Sequence, residues 1–506
     1  MQGSSLPSPN IHTLRSRLAK LQDLQDGLPL QPYGIIMRLR IAAAYKSLGY
    51  PDLAAGDAYK ALLLVDEVVE EGEYHEQASE AAQSYIVSGE ASEYAAEIHQ
   101  AYSKFDHSGC RCQSPASSND EGDDAVSWAK DCWSRTAFAL LVGCLTDCGC
   151  LRSAFDYNGR ALKAFGQVQP FDIYQRTLTE RLRLHFESTG EKLDDIDIKM
   201  YPDKGVVRRE LYPWNKHEPD RYSDETILFL NKEMTAAAPK LEIKVAELPI
   251  LSSGLSPMDQ DVYYVKQLGV FAKEDIPADE IILQEKSLLT AVSRLHELYC
   301  NACSRSLPKP DPNTESVAIS CEECEDVFFC SKECHDFAQE QYHPVLCGVS
   351  TEQKVPPNEA ADWLYTLLLV RALALAEVQD VHPLDLKEVG YIWGDYHGLD
   401  LDEAWKADAD GHPTDPFASV KQSLSFSFNN NILLPLNMLE KMDVNIFEQS
   451  HRYDTWIFNT LYAKFRGKLG MLLHESHQLI RNQEPHPHDM AWMAVLKLQL
   501  CIHCGV

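Results

Sequence analysis

Cys300-Asn-Ala-Cys303, Cys321-Glu-Glu-Cys324, Cys330-Ser-Lys-Glu-Cys334 and His343-Pro-Val-Leu-Cys347 fall within one 48-residue stretch. These eight side chains decide more about the fold than any other part of the chain. A C-x2-C pair can bring two sulfurs to one zinc–sulfur bond length from a common ion, and four ligand pairs close two tetrahedral sites. A zinc ion with four protein ligands keeps no position for water, so the pattern predicts structural rather than catalytic metal. Buried free thiols do not recur in spaced pairs, and disulfides would need an oxidising compartment. Asp, Glu, Ser and Pro fill the intervals, leaving little apolar pattern to build a core.

The chain around this stretch has 506 residues, 45% of them hydrophobic and 24% charged, enough for about three domains. Its net charge of −30 repels phosphate. The finger region holds only Arg305, Lys309 and Lys332 among many acids, which argues against a zinc-finger DNA binder. An acidic surface attracts Lys/Arg-rich peptides instead. The N-terminal MQGSSLPSPN shows no basic-then-apolar signal pattern. Ala137–Leu145 is too short to span a bilayer, and Trp363–Val378 is interrupted by Arg371. The expectation is a soluble protein of cytoplasm or nucleus, with reduced thiols and no membrane partner.

Residues 1–190 read as helical. Ile35, Leu39, Ala42 and Tyr45 repeat at helical period, and so do Ala54, Ala58, Ala61 and Val65 after the Leu48-Gly49-Tyr50-Pro51 break. A second unit repeats the design: Phe138, Leu141 and Leu145, a turn at Gly149, then Ala154, Ala161 and Phe165. In both, alanine stands five residues after the turn glycine and again seven beyond. This resembles degenerate tetratricopeptide repeats, which imply a peptide-binding groove; an ordinary helical bundle fits the same spacing. Ser108–Asp124 reads as a loop. No ligand pairing singles out Cys110, Cys112, Cys144, Cys148 and Cys150 as a metal site. Residues 191–255 read as an irregular connector packing through Tyr212-Pro213-Trp214.

The cysteine-rich run closely resembles a MYND zinc finger. In that family the ligands interleave, so the resemblance implies one zinc on Cys300, Cys303, Cys330 and Cys334, and another on Cys321, Cys324, His343 and Cys347. Ahead of it, Val262-Tyr263-Tyr264-Val265 and Leu268-Gly269-Val270-Phe271-Ala272 read as strand, followed by a turn and a second strand at Ile281–Glu285. Placed before a MYND finger, this looks like the opening of a SET methyltransferase domain, which the finger interrupts. Gln267 stands where the family has its first glycine, and Gly269 matches the second. Trp363, Leu367, Val370 and Ala374 mark the long helix of the family's helical insert. Phe426–Leu436 and Trp456–Leu461 look like later SET segments of a fungal-type group that also carries N-terminal tetratricopeptide-like repeats.

The fold expected is therefore multidomain α+β. A helical tetratricopeptide-like domain (1–190) and connector (191–255) precede the first SET part (256–299), the MYND finger (300–347), the helical insert with partial SET core (348–466) and an atypical tail (467–506). The resemblance implies two structural Zn2+ ions, S-adenosylmethionine as methyl donor, and a lysine-rich protein substrate such as a histone tail. Cofactor contact is carried over to Gly269 and to Asn459 at a strand end, with Asn431 as a second asparagine candidate. A complete SET domain also needs an N-H-S-C-x-P-N box, and no Asn-His-Ser-Cys occurs in this sequence. No residue is assigned a catalytic role. Family-like sequence stops near Gly467, suggesting a truncated or altered end and little catalysis by this chain. A non-catalytic scaffold binding peptides through the finger and helical repeats is the alternative. In the tail, Cys501, His503 and Cys504, with His486 and His488, read as free terminal side chains rather than a further zinc site.

Overall fold

The computed structural model describes residues 11–101, 110–113, 121–190, 201, 203–249, 264–283, 289–292, 299–307, 318–324, 326–349, 360–394, 423–466 and 495–498. The tail ligands named above, Val262 and Tyr263 lie outside them. The chain divides into two compact units: Met1–Trp214 with Tyr396–Asn459, and Asn215–Asp395 with Thr460–Val506.

The first unit is mostly helical. Helices Ile35–Ser47 and Pro51–Glu70 meet at a turn where Gly49 takes φ +78°, a left-handed conformation that glycine adopts without steric cost. Pro51 then starts the next helix at a position that needs no N–H donor. Helices Ser134–Cys148 and Leu151–Phe165 repeat the arrangement around Gly149, φ +88°. Ala54, Ala55, Ala58 and Ala61 are fully buried, as are Ala154 and Ala161. These small side chains let neighbouring helices approach closely, as the glycine–alanine spacing predicts. Helix Pro51–Glu70 packs against both Ile35–Ser47 and Ser134–Cys148.

Charged groups are also sealed inside this unit. Arg38, fully buried, donates to Asp57 at 3.1 Å, to the Phe447 carbonyl at 3.3 Å and to Ser450. Lys60 pairs with Asp454 at 3.0 Å. Tyr212 stacks on Trp214 with ring centroids 5.3 Å apart, and Trp214 also meets Tyr45 and Tyr50. The expected packing through these aromatics is present. A two-stranded antiparallel ladder pairs Gly205–Arg208 with Ser423–Phe426.

The second unit corrects the sequence reading of 191–255 as irregular. Ser223 caps helix Asp224–Ala237 by accepting the Thr226 N–H, and strand Leu241–Pro249 follows. That strand pairs antiparallel with Tyr264–Ala272, register Leu241↔Ala272 to Pro249↔Tyr264. Asn231 fastens helix to strand: its side-chain oxygen accepts from Ile243 N at 2.7 Å, and its amide donates to Ile243 O at 2.9 Å. Leu230, Met234, Ala238, Leu241 and Ile243 form the core beneath. The partner of Tyr264–Ala272 is thus the preceding strand rather than Ile281–Glu285. Residues 281–283 run without regular structure and expose Ile281, Ile282 and Leu283; 284–285 lie outside the described residues.

Helix Ala360–Val378 matches the expected long helix, with Trp363, Leu367, Val370 and Ala374 all buried. Among the described residues no helix is long and apolar enough to cross a membrane. A further helix occupies 455–466. Its last turns belong to the second unit, where Lys464 pairs with Glu218 at 2.6 Å and Tyr462 hydrogen-bonds Thr366.

Candidate metal centre

The ligand stretch folds around two closed backbone turns. Cys300 N donates to Arg305 O at 2.8 Å and Ser304 N to Cys300 O at 2.9 Å, bringing Cys303 back toward Cys300. Cys321 N donates to Val327 O at 3.2 Å, closing the loop that carries Cys324. A short ladder of Ile319–Ser320 with Phe328–Phe329 holds this second turn, and Asn301 N donates to Phe328 O, joining the two. Ser331 caps helix Lys332–Gln341 by accepting the Cys334 N–H at 3.3 Å, setting Cys334 in its first turn. Helix His343–Leu346 has proline at its start and leads into Cys347.

The eight donors converge in two sets of four: Cys300, Cys303, Cys330 and Cys334, and Cys321, Cys324, His343 and Cys347. Within each set, all ligand atoms lie within 4.8 Å of one another. Measured separations include Cys303–Cys330 at 3.6 Å, Cys330–Cys334 at 3.6 Å, Cys321–Cys347 at 3.9 Å and Cys324 Sγ–His343 Nε2 at 3.7 Å. Four sulfurs about 2.3 Å from a central zinc sit about 3.8 Å apart at tetrahedral angles. The donor sets, four sulfurs in one and three sulfurs with one imidazole in the other, therefore fit Zn2+ in both spacing and softness; hard cations such as Ca2+ and Mg2+ select oxygen.

The electrostatics favour thiolate at two of the ligands. Burial opposes charge at Cys300 and Cys321, yet backbone hydrogen bonds from Cys303 and Cys330, and from Cys324 and Glu323, bring both thiols below their ordinary value. Gln339 adds an amide donor to Cys321 Sγ at 3.7 Å, an outer contact of the kind that orients metal ligands. Phe329, fully buried, sets its ring edge against His335 and His343 and fills the space between the turns.

Arg371, noted in the sequence only as a break in an apolar run, docks helix Ala360–Val378 on this module. Its guanidinium donates to Asn301 O at 3.2 Å and Asn301 Oδ1 at 2.9 Å, and lies 3.5 Å from the Tyr342 ring centroid. Tyr342 donates its hydroxyl to the same Asn301 oxygen at 3.0 Å. A lone arginine in an apolar helix is the signal that would have found this contact.

The two cofactor positions present different surroundings. A Cβ at Gly269 would meet the Phe271 ring at 2.6 Å, so the missing side chain makes room for a neighbour on the same strand face. Asn459 lies in the helix over 455–466 rather than at a strand end. It is 1% exposed, and its amide is spent: Nδ2 donates to Asp52 at 2.7 Å and Oδ1 accepts from Asn431 at 2.8 Å. Asn431 is equally buried, in a π-helical segment, and accepts from Ser427 N. Burial pushes the Cys144, Cys148 and Cys150 thiols up, Cys144 and Cys150 to about 12, and among the described residues these three join no ligand set.

No family model and no solved structure matches the chain. Two curated proteins are similar over part of it. Protein-lysine N-trimethyltransferase SMYD5 of Mus musculus is 30% identical over 120 residues, 19% of this chain and 29% of that protein. Its Homo sapiens counterpart is 31% identical over 117 residues, 18% of this chain and 28% of that protein. The chain thus spans less than a third of the length of the curated relatives it matches, and shares with them a partial similarity to protein-lysine methyltransferases.

Proposed function

We propose that this chain is a SET/MYND-type protein that acts on other proteins, with residues 300–347 as its zinc finger between the SET parts at 256–299 and 348–466. The observation that carries the reading is the interleaved convergence of eight soft donors into two four-ligand sets. Cys300, Cys303, Cys330 and Cys334 hold one Zn2+; Cys321, Cys324, His343 and Cys347 hold the other. When bound, these ions supply folding energy rather than chemistry. Methyl transfer from S-adenosylmethionine to a lysine-rich protein, such as a histone tail, is the activity class supported by the partial similarity to protein-lysine trimethyltransferases. The net charge of −30 suits such a substrate. Isothermal calorimetry of the zinc-loaded chain with S-adenosylmethionine tests this assignment. Saturable binding is expected; no detectable heat at millimolar cofactor sinks it. A transfer assay with labelled cofactor and histone then tests the expectation, drawn from the missing N-H-S-C-x-P-N box, that this chain alone turns over weakly.

A second reading, a peptide-binding scaffold, is favoured by a specific contrast. The finger's donors converge, while the Asn459 amide is committed to Asp52 and Asn431. Partner capture abolished by Cys321→Ser, in a chain that shows no cofactor binding, would establish it.

A further inference from the structure

Away from the finger, three more thiols meet. Cys110 and Cys112 flank a single residue at the start of a short turn, and Cys132 lies within the π-helical segment Ala129–Trp133 of the helical run from Glu121 to Cys148. The Cys110 and Cys112 sulfurs are 3.0 Å apart, and all three sulfurs lie within 4.8 Å of one another. Cys110 and Cys132 are buried, and Cys112 is half-buried.

The convergence is held from outside. Arg111, between the two turn cysteines, donates through Nε to Asp124 at 2.8 Å and so ties the turn to the helix that carries Cys132. The π-helical turn alters the side-chain register of that helix where the cysteine sits; such bulges are common at functional sites. One turn further on, buried Arg135 supplies positive charge that acts on Cys110. Three thiolates would place three negative charges together, so a fixed cation beside them favours the assembled site. The neighbouring Cys144, Cys148 and Cys150 are just as buried and join no such group among the described residues. Burial of thiols in this helical region does not by itself bring sulfurs together. A disulfide would use two of the sulfurs and leave the third unexplained; a soft metal ion uses all three.

We propose that Cys110, Cys112 and Cys132 form a third metal site, separate from the finger, for a thiophilic d10 cation of the zinc class. Three protein ligands leave one position of a tetrahedral ion to solvent or to a small exogenous ligand, unlike the closed sets of the finger.

The test uses the full chain, equilibrated with Zn2+ under reductant and freed of excess metal. Elemental analysis compares it with the double variant Cys112→Ser/Cys132→Ser. The expected result is one zinc ion fewer per chain in the variant, whatever the total; equal zinc content at equal helicity overturns the site. Because Cys132 is buried and its replacement can disturb folding, a second measurement uses the unaltered protein. Mass spectrometry after alkylation should show Cys112 protected in the zinc-loaded chain and labelled after chelation. Equal labelling in both states overturns the proposal. The Cys321→Ser chain should keep the protection at Cys112, which separates this site from any failure of the finger.

Discussion

Between Cys300 and Cys347 the described residues that are buried and apolar, cysteines apart, are few: Leu307, Val327, Phe329, Ala338 and Tyr342. Between Ile35 and Val68 a stretch of smaller length buries Ile36, Leu39, Ala42, Tyr45, Leu53, Leu64 and Val65 almost completely, with four alanines beside them. The first region has donors where the second has packing. Below about 40–60 residues a core alone seldom stabilises a fold, and metal supplies what apolar burial cannot. Between Ile35 and Val68 close-packed helices instead remove apolar surface from water, and that burial offsets the entropy of ordering the chain.

Chelation is the severest way to break this contrast. Structural zinc contributes on the order of 10–16 kcal/mol per site in comparable modules. Stripping the metal should abolish amide-exchange protection across residues 300–347, while Ile35–Ser47 and Pro51–Glu70 keep theirs. Equal loss in both regions would show that these helices also depend on bound metal.

The reverse perturbation is Arg38→Ala. Asp57, 1% exposed, would be left without its guanidinium partner, and removing one member of a buried pair costs about 3–5 kcal/mol. Denaturant titration should show that loss in the transition of the helical unit, with the zinc content of the finger unchanged.

The same contrast governs what could be read from the sequence. Metal ligands announce themselves through residue type and spacing, so the eight candidate donors are legible in the sequence; their division into two interleaved sets is implied only by the resemblance to the MYND finger. The helix pairs were legible too, because Gly49 and Gly149 mark turns and the alanines recur on one face. Strand Leu241–Pro249 was missed although Leu241 and Ile243 alternate with Glu242 and Lys244; the alternation lapses at Val245-Ala246, and mixed charge around it resembles a connector. Asn459 was placed by motif at a strand end, whereas the apolar residues around it, Ile457, Phe458 and Leu461, are buried in a helix. Cys132 could not be joined to Cys110 and Cys112 from spacing, since it stands twenty residues beyond Cys112 in the sequence and only the folded chain brings the sulfurs together.

A milder change probes the boundary of the finger. Arg371→Ala removes two charge-assisted hydrogen bonds to Asn301 and a cation–π contact with Tyr342. A loss of about 2–3 kcal/mol is expected. It should lower amide protection around Asn301 and Tyr342 without releasing zinc, because the eight donors are untouched. Zinc release would mean that this helix helps to hold the ligand sets.

The finest test lies at Asp52, in the first turn of helix Pro51–Glu70, where the burial that stabilises the helical region turns against a charge. Its carboxyl is pushed up to about 6 by burial, against the opposing pull of Arg208. In the folded chain Asp52 therefore binds its proton at higher pH than when unfolded. Between pH 6 and 4 the folded state carries the extra proton, so this group's contribution makes the protein more stable as pH falls through that window and less stable as pH rises through it. This is opposite in sign to an ordinary salt-bridged carboxylate. Asp52→Asn keeps a side-chain oxygen that can accept the Asn459 amide hydrogen bond and no longer requires a buried charge. The substitution should raise stability at pH 7 by about 1–2 kcal/mol and flatten the pH dependence between 4 and 6. Thermal unfolding of both chains across that range checks it. A variant less stable at pH 7, with the slope intact, would show that attraction to Arg208 outweighs desolvation and that this carboxylate works with the packing of the helical unit.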